Sequence, residues 1–393
     1  MTSLLDKMAR RRQELARGGL LRQRRCFAAA PGRERLLHPV GHIQAQATGN
    51  GKPQTQTTGK PLLDFAANDY LGLARHPKVI SALAKGAEIY GCGSGASPLV
   101  SGYSEAHLKL EQGLCLELGA EAALLFSCGF AANTALMKTL FSAEDTVIAD
   151  KLVHASMIDG LRDSKAKIRR FAHNDMAAAT ALLARYPGST VLTETVFSMD
   201  GDRAPLGKLS HLCQAHGSPL ILDDAHGFGL FESSSLPVFA RLVTFGKALG
   251  GQGAAIVGSQ ELIDYLVANA REYIYSTALS PACCMGVLKA LELIQQEPLL
   301  ERLNANIALF RRSCQAAGIS LMPSESPIQP LLVGESDRCM ALAARLLERG
   351  FLVGAIRPPT VPKGGARLRI TLSAEHREQD ILALASALAE LMA

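Results

Sequence analysis

No stretch of this 393-residue chain reaches the roughly 20 apolar residues that a helix needs to cross a bilayer. The longest apolar one, Ala122 to Met137, has 16 residues and is interrupted by Ser, Gly, Asn and Thr. The start of the chain lacks the short apolar core and small-residue cleavage site of a secretory signal, so no membrane role is expected. Cysteine is present without pattern: nine residues, an odd number, with no C-x-x-C pair and no Cys–His ligand spacing. That argues against a disulfide scaffold and a metal site, and suggests reduced thiols, mostly buried as small hydrophobes, in a cytoplasmic protein. Tryptophan is absent and aromatics make up 5%, yet 48% of residues are apolar and 20% charged. This near-average composition excludes disorder and collagen-like repeats, and the length allows two to three domains of roughly 100–200 residues.

The net charge of +5 is not evenly spread. Residues 1 to 25 hold eight basic side chains (Lys7, Arg10, Arg11, Arg12, Arg17, Arg22, Arg24, Arg25) against Asp6 and Glu14, while the rest of the chain holds 33 basic and 34 acidic residues. The basic pI therefore describes an N-terminal arm and not a nucleic-acid-binding body. Leu4, Leu5, Met8 and Leu15 predict an amphipathic helix that ends near Gly18-Gly19, and the Gly-, Gln- and Thr-rich segment 41–60 reads as an exposed loop.

From Pro61 to about Gly258, short β-rich runs alternate with helical patterns. The runs are Ala122–Phe126, Thr146–Ala149, Lys167–Phe171, Thr190–Thr193, Pro219–Leu222, Arg241–Thr244 and Ala254–Val257. Leu110, Leu114 and Leu118 mark one intervening helix, and Pro77 opens another. Alternation of this kind predicts an α/β fold whose mostly parallel sheet is covered on both faces, with ligands at the carboxyl ends of its strands. A helical stretch from Pro281 to Ala317 follows. Strands at Ile328–Val333, Phe351–Ile356 and Leu368–Thr371 then alternate with helices at Asp337–Arg349 and Glu375–Met392, a smaller α/β domain. The expected divisions are 1–60 (helix, basic arm and loop), 61–285 (large domain) and 286–393 (small C-terminal domain).

Five strand ends carry chemistry. The apolar run Pro219–Leu222 ends in Asp223-Asp-Ala-His-Gly227, and Val243-Thr-Phe-Gly-Lys247 places a lysine among small and apolar neighbours. Burial of such a lysine disfavours its ammonium form, which suits an amine that attacks a carbonyl. Phe126-Ser-Cys-Gly-Phe-Ala-Ala-Asn133 joins a strand, a glycine turn and a helix start, a natural cradle for phosphate. It is neither a Walker loop nor G-x-G-x-x-G, and Gly91-Cys-Gly-Ser-Gly95 follows a helical pattern, which removes it as a dinucleotide fingerprint. Asp150-Lys-Leu-Val-His154 and Glu194-Thr-Val-Phe-Ser198 add further polar groups. A lone His, Ser or loop Asp is usually a structural cap. Together, an anion cradle, an Asp for a pyridine nitrogen, imidazoles and an amine suit pyridoxal 5'-phosphate.

The combination resembles the α-oxoamine synthases, within the fold-type I pyridoxal-phosphate enzymes, over nearly the whole chain. It is carried by Asn68-Asp-Tyr-Leu-Gly-Leu73, Gly93-Ser-Gly-Ala-Ser97, Val100-Ser-Gly-Tyr-Ser104, Phe126 to Asn133, Phe171-Ala-His-Asn-Asp175 and Val196-Phe-Ser-Met-Asp-Gly-Asp202. Asp223 to Gly227, Thr244-Phe-Gly-Lys247, Tyr275-Ser-Thr277, Arg357-Pro-Pro-Thr-Val-Pro-Lys-Gly364 and Arg367 to Leu372 complete it. Phe171–Asp175 and the Arg357 stretch point to the biotin-pathway branch. The family pattern is left at Pro98, where an Arg is common, in the short span from His226 to Lys247 with Glu232-Ser-Ser-Ser-Leu-Pro237, and in the long 41–60 loop.

The resemblance implies a transferase that condenses L-alanine with pimeloyl-CoA or a pimeloyl-carrier protein, releasing carbon dioxide and free thiol. Lys247 would carry pyridoxal 5'-phosphate and remove the α-proton, Asp223 would pair with the pyridinium nitrogen, and His154 would stack on the ring and meet substrate. His226 and Ser198 would touch the phenolic side; Gly129, Phe130 and Thr244 would hold the phosphate region. Ser276 and Thr277 would reach the phosphate of a partner subunit in a homodimer with shared active sites. Arg22, Asn68, Thr360 and Arg369 would meet substrate, Arg369 as the carboxylate anchor. The residues leave open a sister synthase that uses glycine (glycine C-acetyltransferase or 5-aminolevulinate synthase) and a non-catalytic subunit of the same fold.

Overall fold

Leu220-Ile-Leu-Asp223 is buried at every residue, as a strand covered on both faces must be. It is the fifth strand of a seven-stranded sheet: β1 (Ala122–Phe126), β2 (Thr146–Asp150), β3 (Lys167–Phe171), β4 (Thr190–Glu194), β5 (Leu220–Asp223), β6 (Ala240–Thr244) and β7 (Ala254–Gly258). The spatial order is β1-β7-β6-β5-β4-β2-β3. Only β7 runs antiparallel to its neighbours, and the other pairs are parallel. Each of the seven expected runs is a strand, with ends that move by at most one residue.

The computed structural model describes residues 3–18, 20–22, 24–29, 34–38, 61–232 and 236–392. The expected 41–60 loop, Gly19 and the centre of the 232–237 segment lie outside them. The chain falls into two units, one of residues 68–304 and 323–327 and the other of residues 1–67, 305–322 and 328–393.

The larger unit holds the sheet and its helices, among them α1 (Glu105–Leu118), α2 (Gly129–Leu140), α3 (Ala155–Ser164), α4 (Met176–Arg185) and α5 (Leu206–Ala215). Strand β2 shows how two layers of helices are seated. Val147 and Ala149 pack with Leu136, Met137, Met157 and Leu161 of α2 and α3. Ile148, pointing the other way, packs with Leu183, Leu209 and Cys213 of α4 and α5. That is the period of two that a strand imposes. Helix α3 approaches α2 so closely that a Cβ on Gly160 would lie 2.7 Å from Cβ of Met137. In α1, Leu110, Leu114 and Leu118 form the expected buried stripe.

The expected helix from Pro281 to Ala317 is two helices, Pro281–Gln296 and Leu299–Ala316. Glu297 between them is extended (φ −118°, ψ 146°) because it precedes Pro298, whose ring excludes the helical conformation there. In the smaller unit, Leu4–Arg17 forms the N-terminal helix, opened by a reciprocal Ser3–Asp6 capping box. Ile328–Gly334, Ala366–Thr371 and Gly354–Ile356 make a three-stranded antiparallel sheet. The expected strand Phe351–Ile356 is divided: Phe351–Leu352 pairs parallel with Leu63–Asp64, whereas Gly354–Ile356 joins the other sheet. Among the described residues no helix is long and apolar enough to cross a membrane.

Below the sheet's functional edge, Nη1 of Arg241 on β6 meets Oδ2 of Asp224 at 2.7 Å, with both side chains buried. Removing one partner strands a buried charge, whereas an apolar pair removes both. Arg241→Ala is expected to destabilise the protein by about 3–5 kcal/mol. Arg241→Met with Asp224→Leu should recover most of the loss in urea-unfolding midpoints.

Candidate active site

Three strand ends converge on one cavity of about 330 Å³: Glu194 closes β4, Asp223 closes β5 and Thr244 closes β6. The pairing register sets Glu194 directly beside Asp223. Asn68, Ser127, Gly129, Phe130, Asn133, His154, His226 and Lys247 share its wall.

Asp223 is 3% exposed, and two donors hold it. Its Oδ1 accepts the N–H of Ala225 at 3.0 Å, and its Oδ2 accepts Nδ2–H of Asn133 at 2.8 Å. The second N–H of that amide goes to Oγ of Ser156 at 3.0 Å. Ser156 Oγ lies 2.7 Å from Nδ1 of His154, which also takes the Ser156 backbone N–H at 3.3 Å. His154 is the N-cap of α3, so the ring is placed by the helix it starts. Accepting at Nδ1 leaves the proton of the neutral ring on Nε2. Burial pushes His154 below its ordinary range; Asp223 opposes this and Lys247 reinforces it. Glu194 is driven well above the ordinary carboxylate range, by burial first and then by the adjacent Asp223.

On the other side, Nδ1 of His226 lies 2.6 Å from the hydroxyl of Tyr70, which is itself 3.2 Å from Oδ1 of Asn68. Lys247 is half-buried, three residues past the end of β6. Helix α2 starts at Gly129 after β1, and no side chain caps its N-terminus at Cys128. The first-turn N–H groups and the helix dipole make an anion site there. A Cβ on Gly129 would lie 2.5 Å from Cγ2 of Thr244, so this wall has room only for glycine.

Asn68, Gly129, Phe130, His154, Asp223, His226, Thr244 and Lys247, all expected from sequence, thus come together. Ser198 sits half-buried in the turn after β4 and is not part of this wall, and neither are Ser276 and Thr277. Arg22, Thr360 and Arg369 belong to the other unit. There Nη2 of Arg22 donates to Oγ1 of Thr360 at 3.3 Å, and buried Arg369 donates from Nη1 to Oγ1 of Thr371 at 3.1 Å. Sequence reasoning passed over Asn133, Tyr70 and the full weight of Glu194. Asn133 had a usable signal, since it stands four residues after Gly129 and so on the same helix face.

The aminotransferase class I and II family model matches residues 60–388. The chain belongs to that family. It is 46% identical over 367 residues to the 8-amino-7-oxononanoate synthase of Aeromonas salmonicida (strain A449), covering 90% of this chain and 92% of that protein. It is 48% identical over 351 residues to the 8-amino-7-oxononanoate synthase of Pseudomonas entomophila (strain L48), with 86% and 90% covered. Among solved structures, serine palmitoyltransferase with PLP superposes with a TM-score of 0.88 at 26% identity over 99% of this chain and 98% of that one. The 8-amino-7-oxononanoate synthase of Francisella tularensis superposes with a TM-score of 0.73 at 30% identity, over 84% and 97%.

The cavity fits the cofactor of this family. It offers an acid held by two donors at its buried end, an amine, and an uncapped helix start where glycine leaves space beside a threonine. Two buried atoms, Oδ1 of Asn133 and Oε1 of Glu194, have no hydrogen-bond partner among the described residues. Pyridoxal phosphate is the cofactor, and bound here it supplies an electron sink for carbanion chemistry at an amino-acid α-carbon. Gly129→Ala is expected to weaken pyridoxal-phosphate binding at least about tenfold, because the new methyl meets Thr244. Adding Thr244→Ser, which removes Cγ2, should return most of the affinity in a fluorescence titration.

Proposed function

We propose that this chain joins L-alanine to the acyl group of a pimeloyl thioester, carried by CoA or a carrier protein. The products are 8-amino-7-oxononanoate, carbon dioxide and the free thiol, the carbon skeleton for biotin. The observation that carries this reading is the single cavity shared by Lys247, Asp223, His154 and His226, in a chain 46–48% identical to proteins named for that activity.

Each side chain has a defined task in it. Lys247 would hold the cofactor through Nζ and, once displaced by the amino acid, take the α-proton. Asp223, steadied by Asn133, would keep the ring nitrogen protonated. His154, poised with its proton on Nε2, would cover the ring and orient the substrate, and His226 with Ser198 would serve the phenolic side. Gly129, Phe130 and Thr244 would hold the phosphate. Asn68, Arg22, Thr360 and Arg369 would meet substrate, with the guanidinium of Arg369 taking the amino-acid carboxylate.

A homodimer completes the reading. Ser276 and Thr277 are not on the cavity of their own chain, Thr277 is exposed and the preceding Tyr275 is 71% exposed, which supports a role for these hydroxyls at the phosphate of a second copy. Nine free thiols suit a cytoplasmic location.

Turnover assays test the reaction. With pimeloyl-CoA, L-alanine should be consumed with release of thiol and carbon dioxide, and Lys247→Ala should lower kcat roughly a thousandfold or more. Faster turnover of glycine with a short acyl-CoA would instead assign a glycine-using sister activity, and an unchanged Lys247→Ala enzyme would remove the lysine from the chemistry.

A further inference from the structure

Phe171-Ala-His-Asn-Asp175 marks the family but no part of it reaches the cavity. Its histidine is instead held between two carboxylates. Nδ1 of His173 lies 2.9 Å from Oδ1 of Asp150, and Nε2 lies 2.7 Å from Oδ2 of Asp202. Ionised carboxylates only accept, so both ring nitrogens must donate and the ring is an imidazolium. The flanking residue reinforces both ends. Asn174, in a left-handed conformation (φ 57°), gives its backbone N–H to Oδ2 of Asp150 (2.8 Å) and its side-chain N–H to Oδ2 of Asp202 (3.1 Å).

The two acids belong to the two loops that carry cavity chemistry. Asp150 ends β2, and its Oδ1 also accepts the N–H of Leu152, two residues before His154. Asp202 closes the turn that leaves β4 after Glu194 and contains Ser198; within it the N–H of Gly201 bonds the carbonyl of Phe197, and the N–H of Phe197 bonds the carbonyl of Asp202. Phe197 meets the His173 ring edge-on, with centroids 4.3 Å apart.

We propose that His173 is a positioning residue whose imidazolium clamps the His154 loop to the turn that follows Glu194 and so fixes the spacing of His154 and Glu194 across the cofactor cavity. The proposal rests on the reading of that cavity as the active site. It touches no reacting atom itself.

The clamp is sensitive to pH. Burial works against the charged ring, but the hydrogen bonds and charges of Asp150 and Asp202 outweigh it and raise His173 to about 9. Of the charged groups nearby, Asp175 caps α4 through the N–H of Ala178, Arg203 lies over Phe231 and 3.4 Å from Glu325, and Arg170 of β3 donates to the carbonyl of Lys151. A raised pKa contributes stability that is complete below the unfolded value of about 6.5 and is lost as pH rises through about 9.

The test uses the full-length protein loaded with pyridoxal phosphate, and compares wild type with His173→Gln and Asp202→Asn. NMR of the imidazole signals gives the titration of His173 directly, and the visible cofactor band and kcat are followed from pH 7 to 10. The wild-type ring should stay protonated to about pH 9, and kcat and the band should change together with it. His173→Gln should lower kcat about tenfold to a hundredfold at pH 7.5, with KM little changed, and abolish that pH step. Asp202→Asn, which keeps the ring, should move the step to lower pH and serves even where the Gln variant fails to fold. A Gln variant with wild-type kcat and only a lower Tm overturns the proposal, as does an Asp202→Asn step unmoved in pH. Because NMR and the cofactor band need no acyl donor, a wrong substrate assignment leaves these readings intact and is told apart from a failed clamp.

Discussion

The cavity's polar groups are arranged around one buried carboxylate. Asp223 stands at the end of β5 with two donors already on it, the Ala225 N–H and the Asn133 amide, which fix its plane before any ligand arrives. Such pre-organisation is what makes a buried acid useful, because no reorientation is left to be done during the reaction. The Asn133 amide extends the constraint. By dividing its two N–H groups between Asp223 and Ser156, it ties Asp223 through Ser156 to the imidazole of His154 and so links groups on separate strand ends.

The electrostatics follow from the crowding of acids at adjacent strand ends. Glu194 and Asp223 are register partners, and both cannot carry charge cheaply in a buried space. Glu194 gives way, pushed well above the ordinary carboxylate range by burial and then by its neighbour. His154 is pushed below its ordinary range by burial, which Asp223 opposes and Lys247 reinforces. The same strand ends carry a second, outer layer, the Asp150–His173–Asp202 chain, in which the ion pairing goes the opposite way and the imidazole is charged. Two histidines of one sheet edge thus shift in opposite directions, because burial prevails at His154 and two hydrogen-bonded carboxylates prevail at His173.

The sheet was legible because strands buried on both faces must be apolar throughout, and each is bounded by turn chemistry; Leu220–Asp223 and Ala254–Gly258 are examples. Residues at strand ends were legible for the same reason, as polarity begins where a covered strand stops. What stayed hidden depends on neighbours distant in sequence. That Glu194 faces Asp223 is a matter of register, and that Phe351–Ile356 serves two sheets is a matter of which strands lie beside it. Tyr70 stands in the Asn68–Leu73 motif without a role of its own, and its hydroxyl acquires meaning only when the fold brings His226, 156 residues away, to 2.6 Å. The break at Glu297 was local and readable, since Pro298 announces it.

The most direct test of this account is the protonation of the cofactor ring, read by nitrogen-15 NMR with pyridoxal phosphate labelled at the ring nitrogen and bound to the full-length protein. The account predicts a hydrogen-bonded pyridinium signal at neutral pH that moves toward neutral pyridine in Asp223→Ala. A neutral pyridine in the wild-type protein, or a pyridinium signal indifferent to the loss of Asp223, would contradict it.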